Sequence, residues 1–203
     1  YIGRSKNSQY NEQNKWKNDK KNSYYAITKY GAEREIWRGE QEGLSSVVVN
    51  PGIIIGPSSW HRSSTTLFKQ VSKGLPRYTP GSNGFVDVRD VSKAIIQLMD
   101  SSISAERFIL VGKNLNYKEV FEKIAHALNK QAPTKKATKW MMQIAWRLEK
   151  VNAFIKGKSP SFTKETALTA CEKYFYDSSK IKQMIAYEFI AIDKAISNTA
   201  KFL

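Results

Sequence analysis

Apolar residues along this chain alternate between two periods. From Tyr24 to Glu42 alanine and glutamate recur, Ser23 stands at an N-cap position and Gly43 follows, so the segment predicts a helix. Ser45-Ser46-Val47-Val48-Val49-Asn50 is a short β-branched run stopped by Pro51-Gly52, which predicts a buried strand of the parallel-sheet type. Thr65–Lys73 predicts a short helix and Phe85-Val86-Asp87-Val88 a short strand. Val91, Ala94, Ile95, Leu98 and Met99 share one face of a helix running to Ser101, with Asp90 as its cap. Arg107–Val111 predicts another buried strand closed by Gly112, and Asn116 caps a helix with Val120, Phe121, Ile124 and Leu128 on its apolar side. Residues 139–155 form an amphipathic pattern with Trp140, Met141, Ile144, Ala145, Leu148 and Val151. Such an aromatic and Met stripe is expected in a core, with a substrate cleft as the alternative. Lys164–Glu172 and Ile192–Phe202 predict two further helices, and the polar residues 4–22 an exposed loop. Helices alternating with short buried strands predict an α/β fold.

Composition narrows this picture. The 203 residues are 41% hydrophobic, enough for a real core. The single cysteine, Cys171, excludes an internal disulfide and suits a reducing compartment, so a cytoplasmic location is expected. His61 and His126 stand far apart with no cysteine near either, so no zinc-type spacing exists. No apolar run approaches the roughly 20 residues that span a bilayer, and no membrane partner is expected. The net charge of +15 comes from 25 lysines and only 8 arginines spread along the chain. That pattern reads as solvated helix faces rather than a nucleic-acid surface.

The candidate chemistry lies in Ser23-Tyr24-Tyr25-Ala26-Ile27-Thr28-Lys29. Tyr25 and Lys29 are four residues apart, which on a helix puts phenol and ammonium on one face. A cation so placed favours phenolate over phenol, the property of a proton donor and acceptor for alcohol–ketone interconversion. Spacing alone is weak, because ten tyrosines and 25 lysines produce about one such pair by chance. Tyr176 and Lys180 form a second, which is expected to be that accident.

Five blocks in order strengthen the first pair: Tyr25-x-x-x-Lys29 with Gly31-Ala32-Glu33, Val49-Asn50-Pro51-Gly52-Ile53-Ile54-Ile55-Gly56-Pro57, Phe85–Val91, Arg107–Gly112 and Asp177–Lys182. Together they resemble the C-terminal portion of the extended short-chain dehydrogenase/reductases (the NAD-dependent epimerase/dehydratases), nearest to the dihydroflavonol-reductase-like branch. The resemblance implies the C-terminal part of an NAD(P)-binding Rossmann fold plus a small, mostly helical substrate domain. It divides the chain into a partial Rossmann region (1–56), a substrate-side insertion (57–84), a return to the Rossmann core (85–130) and a helical substrate region (131–203).

By the same resemblance Tyr25 exchanges a proton with the substrate oxygen and Lys29 holds the nicotinamide ribose. With Tyr25 and Lys29, residues Pro51, Gly52, Ile53 and Ile54 line the pocket of NAD or NADP, and Ser58, Trp60 and His61 border the substrate. A small-molecule substrate follows, with a homodimer as a possible assembly. The implied function is NAD(P)-dependent oxidoreduction of a carbonyl or alcohol. A nucleotide-sugar epimerase or dehydratase is the alternative on the same fold. A non-enzymatic basic binding module and an inactive truncated copy stay open as alternatives of another class. Two departures matter. No Gly-x-Gly-x-x-Gly or Gly-x-x-Gly-x-x-Gly occurs, and the acidic ribose partner and the family's Ser/Thr are absent with it. The cofactor-binding half is therefore expected to lie outside these residues. Where sugar-nucleotide epimerases of the family have an Asn, this chain has Ile53, which favours a less polar substrate.

Overall fold

The computed structural model describes residues 7–19, 22–59, 64–157, 160 and 162–203. The chain runs β1 (Gln9–Tyr10), α1 (Tyr24–Gln41), β2 (Val47–Pro51), β3 (Ile53–Ile55), α2 (Thr65–Ser72), β4 (Arg77–Tyr78) and β5 (Ser82–Asp87). It continues with α3 (Val88–Met99), β6 (Glu106–Leu110), β7 (Lys113–Asn116), α4 (Tyr117–Ala127), β8 (Lys135–Lys136) and α5 (Lys139–Ile155). The last elements are α6 (Lys164–Thr169), β9 (Phe175–Tyr176), α7 (Ser179–Met184) and α8 (Ile192–Lys201).

The buried Val-rich run of β2 pairs in parallel with β6, Val47 opposite Glu106 and Pro51 opposite Leu110. At Gly52 the chain changes sheets. β3 pairs in parallel with β5, and β5 pairs antiparallel with β7. Backbone bonds knit the exchange: Gly52 N–H donates to the Leu110 carbonyl at 3.0 Å and Gly112 N–H to that of Phe85 at 2.9 Å. A Cβ on Gly52 would lie 2.4 Å from the Gly84 carbonyl oxygen and 2.9 Å from Val111 Cγ2. Because the obstacle is backbone, Gly52→Ala is expected to destabilise the fold by about 1–3 kcal/mol, readable as a lower urea midpoint.

Two cores flank this exchange. Ile55, Phe68, Val71, Phe85, Leu115, Val120, Phe121, Ile124, Ile192 and Ile196 bury together between β3–β5–β7 and helices α2, α4 and α8. Ala94, Leu98, Phe108, Leu110, Ile181 and Tyr187 form the second, under α3 and α7. Met99, expected on the buried face of α3, is 74% exposed. With Val47, Val49, Ile95, Leu98 and Ile103 it lines an open groove of about 540 Å³. Among the described residues β2 pairs only with β6, so its other edge is open beside that groove. An open, apolar, parallel edge is a surface that parallel sheets normally cover.

Residues 7–19 are more than the exposed loop their polarity suggests. β1 pairs with β9, and Glu12 Oε1 accepts the Ile109 N–H at 2.8 Å. The Arg107 guanidinium reaches the carbonyls of Glu12 and Asn14 and pairs with Glu33. A half-buried guanidinium has five donors to satisfy; this segment's carbonyls take three of these contacts and the Glu33 carboxylate a fourth.

Candidate active site

Ser23 starts α1 as expected, its hydroxyl accepting the Ala26 N–H at 3.0 Å. Ala26 and Glu33 are buried and fix which face of α1 turns inward. Near the other end Glu40 Oε1 accepts the Ser46 N–H at 2.7 Å and the Ser46 hydroxyl at 2.6 Å, ahead of β2, and the Ala105 N–H at 3.3 Å, ahead of β6. One helical stretch earlier Glu33 pairs with Arg107 at 3.2 Å, further along β6. These two ties occur in opposite order on helix and strand, so α1 runs antiparallel to the sheet.

That direction positions the candidate pair. From Glu40 back to Tyr25 the helix rises about 22 Å. From Ser46 forward to Pro51 the strand covers about 17 Å. Tyr25 and the Pro51-Gly52 terminus therefore share one end of the structure, the carboxyl end of β2, where open α/β sheets bind their ligands. Lys29 Nζ lies 5.7 Å from the centre of the Tyr25 ring. Tyr25 is 67% exposed and Lys29 is exposed, so both heads face away from the described residues. Tyr176 and Lys180, by contrast, sit on different elements, and Lys180 is taken by Glu106 at 2.5 Å and the Arg107 carbonyl at 3.0 Å.

Pro51 is the exposed last residue of β2. Gly52 is required by the close passage of Gly84, whatever else approaches it. Ile53 is half-buried and packs on the first core, and Ile54 is half-buried with its carbonyl accepting the Ser64 hydroxyl. Ser58 is exposed in the loop after β3, and Trp60 and His61 lie outside the described residues. A separate groove of about 840 Å³, lined by residues that include Trp16, Tyr30, Arg107 and Lys180, contains none of these candidates. Among the described residues no group of His, Cys, Asp and Glu is placed to hold a metal ion.

The helix cap of α3 expected at Asp90 falls on Asp87 instead: Asp87 Oδ1 accepts the Arg89 N–H at 2.8 Å, and Arg89 pairs with Oδ2 at 2.6 Å. Burial pushes the Asp87 carboxyl up, but the Arg89 bonds outweigh it and hold it below the usual range. Asp90 is buried one turn on, accepting the Tyr187 hydroxyl at 3.0 Å and the Ile190 N–H at 2.9 Å. Burial raises its affinity for a proton, against the lowering effect of those two donors. Sequence spacing could not show this contact, because its partners lie about a hundred residues away.

The stripe on α5 also differs from expectation. Trp140, Ile144, Leu148 and Val151 are exposed, and the core contact is made by Met142 and Ala153 on the opposite face.

No known family profile matches the chain. Among curated proteins it is 27% identical over 183 residues to a Synechocystis sp. protein assigned as a dihydroflavonol 4-reductase, covering 86% of this chain and 52% of that one. It is 33% identical over 105 residues to tetraketide alpha-pyrone reductase 2 of Arabidopsis thaliana, covering 50% of this chain and 33% of that one. Among solved structures it superposes on a nucleoside-diphosphate-sugar epimerase of Pseudomonas aeruginosa with a TM-score of 0.75 at 16% identity, covering 94% of this chain and 59% of that one. The NAD complex of a dTDP-glucose 4,6-dehydratase from Bacillus anthracis gives 0.70 at 15% identity, with 99% and 57% covered.

The fold is thus the Rossmann-type α/β fold that these solved structures share. The sequence relatives are of the dihydroflavonol-reductase and cinnamoyl-CoA-reductase kind. The chain spans about half the length of the first of these relatives. No described helix is long and apolar enough to cross a membrane.

Proposed function

We infer that this chain carries the proton-relay half of an NAD(P)-dependent reductase, and that a preceding polypeptide segment supplies the dinucleotide cradle. The observation that carries the reading is the exposed Tyr25–Lys29 pair at the carboxyl end of β2, 5.7 Å from ammonium to ring centre. The open edge of β2 and its apolar groove support the second part, since a strand paired there would cover both.

The residues present fit the nicotinamide end of a dinucleotide and not its phosphate end. Tyr25 and Lys29 are exposed at the same end of the structure as the Pro51-Gly52 terminus, while the chain has no glycine turn to approach a pyrophosphate. Bound NAD(P)H would supply the hydride. The Tyr25 hydroxyl donates its proton to the carbonyl oxygen as that oxygen gains charge, and the Lys29 ammonium stabilises the phenolate left behind. Lys29 also has the reach and the donors to hold a ribose hydroxyl. Ser58 borders the substrate with the neighbouring loop. Ile53, already engaged with the core, offers no polar group to a sugar, which favours a less polar carbonyl substrate.

The test is a substrate panel with the polypeptide that includes the preceding segment. Net consumption of NADPH or NADH with apolar aldehydes or ketones is expected. Interconversion of a nucleotide sugar with no net coenzyme consumption would contradict the reductase reading and favour the epimerase one.

A further inference from the structure

Helix α5 has two apolar faces, and only one has a partner. Met142 and Ala153 are buried, and Met142 packs with Ala137 and Ala167 beside Trp146 and Phe162. About half a turn round the axis, Trp140, Ile144, Leu148, Val151 and Ile155 recur at helical spacing and form a straight stripe about 22 Å long. Every one of them is exposed, Leu148 by 66%, and Phe154 at the border of the stripe by 87%. A contiguous apolar surface of this kind on a folded domain marks an interaction site.

The charges around the stripe select the occupant. Residues 135–156 contain Lys135, Lys136, Lys139, Arg147, Lys150 and Lys156 against the single acid Glu149. All six cations are exposed. On the helix Lys150 flanks one side of the stripe and Lys156 the other, so their stems can lie along apolar surface while their heads reach outward; Arg147, beside Lys150, is folded onto the Gln143 carbonyl at 2.6 Å and the Trp146 ring. A second copy laid face to face would bring these cations against their own kind. A surface of anionic headgroups over an acyl layer satisfies both parts at once: the stripe enters the boundary region and the cations meet the phosphates.

We propose that α5 is an interfacial helix that lies on an anionic lipid bilayer and holds the protein at its surface. The helix is pinned to the body of the domain through Met142 and Ala153, so contact with lipid needs no unfolding. This proposal does not depend on the redox reading: it uses no residue of the Tyr25–Lys29 site. It adds a surface contact to a chain whose described helices do not cross a membrane.

The test is co-sedimentation of the 203-residue chain with vesicles of phosphatidylglycerol and phosphatidylcholine, and with phosphatidylcholine alone, at low and high salt. Binding is expected to the anionic vesicles, at least about tenfold weaker without phosphatidylglycerol, and weaker at high salt. The double variant Leu148→Asp/Val151→Asp and the charge variant Lys139→Glu/Lys150→Glu/Lys156→Glu are each expected to lower binding by at least about tenfold. All five positions are exposed, so both variants should keep the wild-type circular dichroism. Absence of binding at low salt would overturn the proposal, as would anionic binding that the Asp variant retains. A dimer in sedimentation velocity that the Asp variant dissociates, without vesicle binding, would assign the stripe to a second copy instead.

Discussion

Tyr25→Phe, introduced into the polypeptide that includes the cofactor-binding segment, is expected to lower turnover by about 10²–10⁴-fold. The substitution removes one oxygen and nothing else. Tyr25 is 67% exposed on the first turns of α1, and the helix is held by Ala26, Glu33 and Glu40 rather than by the phenol. Folding and coenzyme affinity should therefore be close to wild type, with the loss in kcat. Near-normal kcat would remove Tyr25 from the proton relay. Lys29→Met separates the two roles given to Lys29. A loss of coenzyme affinity reports contact with the ribose, and a shift in the pH dependence of kcat reports stabilisation of the phenolate.

The second large effect concerns stability. Asp90→Ala is expected to cost about 2–4 kcal/mol in urea denaturation. It leaves the Ile190 N–H facing a buried void and removes one of the two acceptors of the Tyr187 hydroxyl, which keeps the Asp90 carbonyl at 2.9 Å; these bonds join α3 to the segment that enters α8. Asp90→Asn keeps the volume and one acceptor and should cost less. The two carboxylates also give stability a pH dependence of opposite sign. Asp87 is held below its ordinary value, so its contribution is present above the unfolded pKa of about 3.9 and is lost as pH falls through the lower folded value. Asp90 is held above its ordinary value, so its contribution is full below about 3.9 and is lost as pH rises through the higher folded value. Unfolding free energies measured from pH 3 to 7 should show Asp87→Asn flattening the acid-side loss and Asp90→Asn not doing so.

The elements legible in the sequence were those with local causes. The Ser23 and Asn116 caps, the β-branched run of β2 and the apolar face of α4 all carry their signal within one or two turns. What the local pattern missed depends on distant partners. β3 and β7 are three and four residues long, and their strand character comes from pairing with β5. Asp90 follows the helix cap by three residues, and only its contacts with Tyr187 and Ile190 distinguish it from one. The α5 stripe has a core pattern because burial and membrane or partner contact require the same periodicity. Packing of Met142 and Ala153 decides which face is the core. At the candidate site the Tyr25–Lys29 pair and the Pro51-Gly52 terminus were legible as blocks. Their common end of the sheet became a structural statement only through the ties of Glu40 and Glu33. At Gly52 the constraint the structure displays is the passage of Gly84.

The central claim is that the chain holds the proton relay without the dinucleotide cradle. Calorimetric titration of NADPH and NADH into the 203-residue chain, and in parallel into the polypeptide extended by its preceding segment, tests it most directly. The account predicts no stoichiometric binding to the 203-residue chain and one coenzyme per chain for the extended polypeptide. A one-to-one complex with the 203-residue chain alone would contradict it.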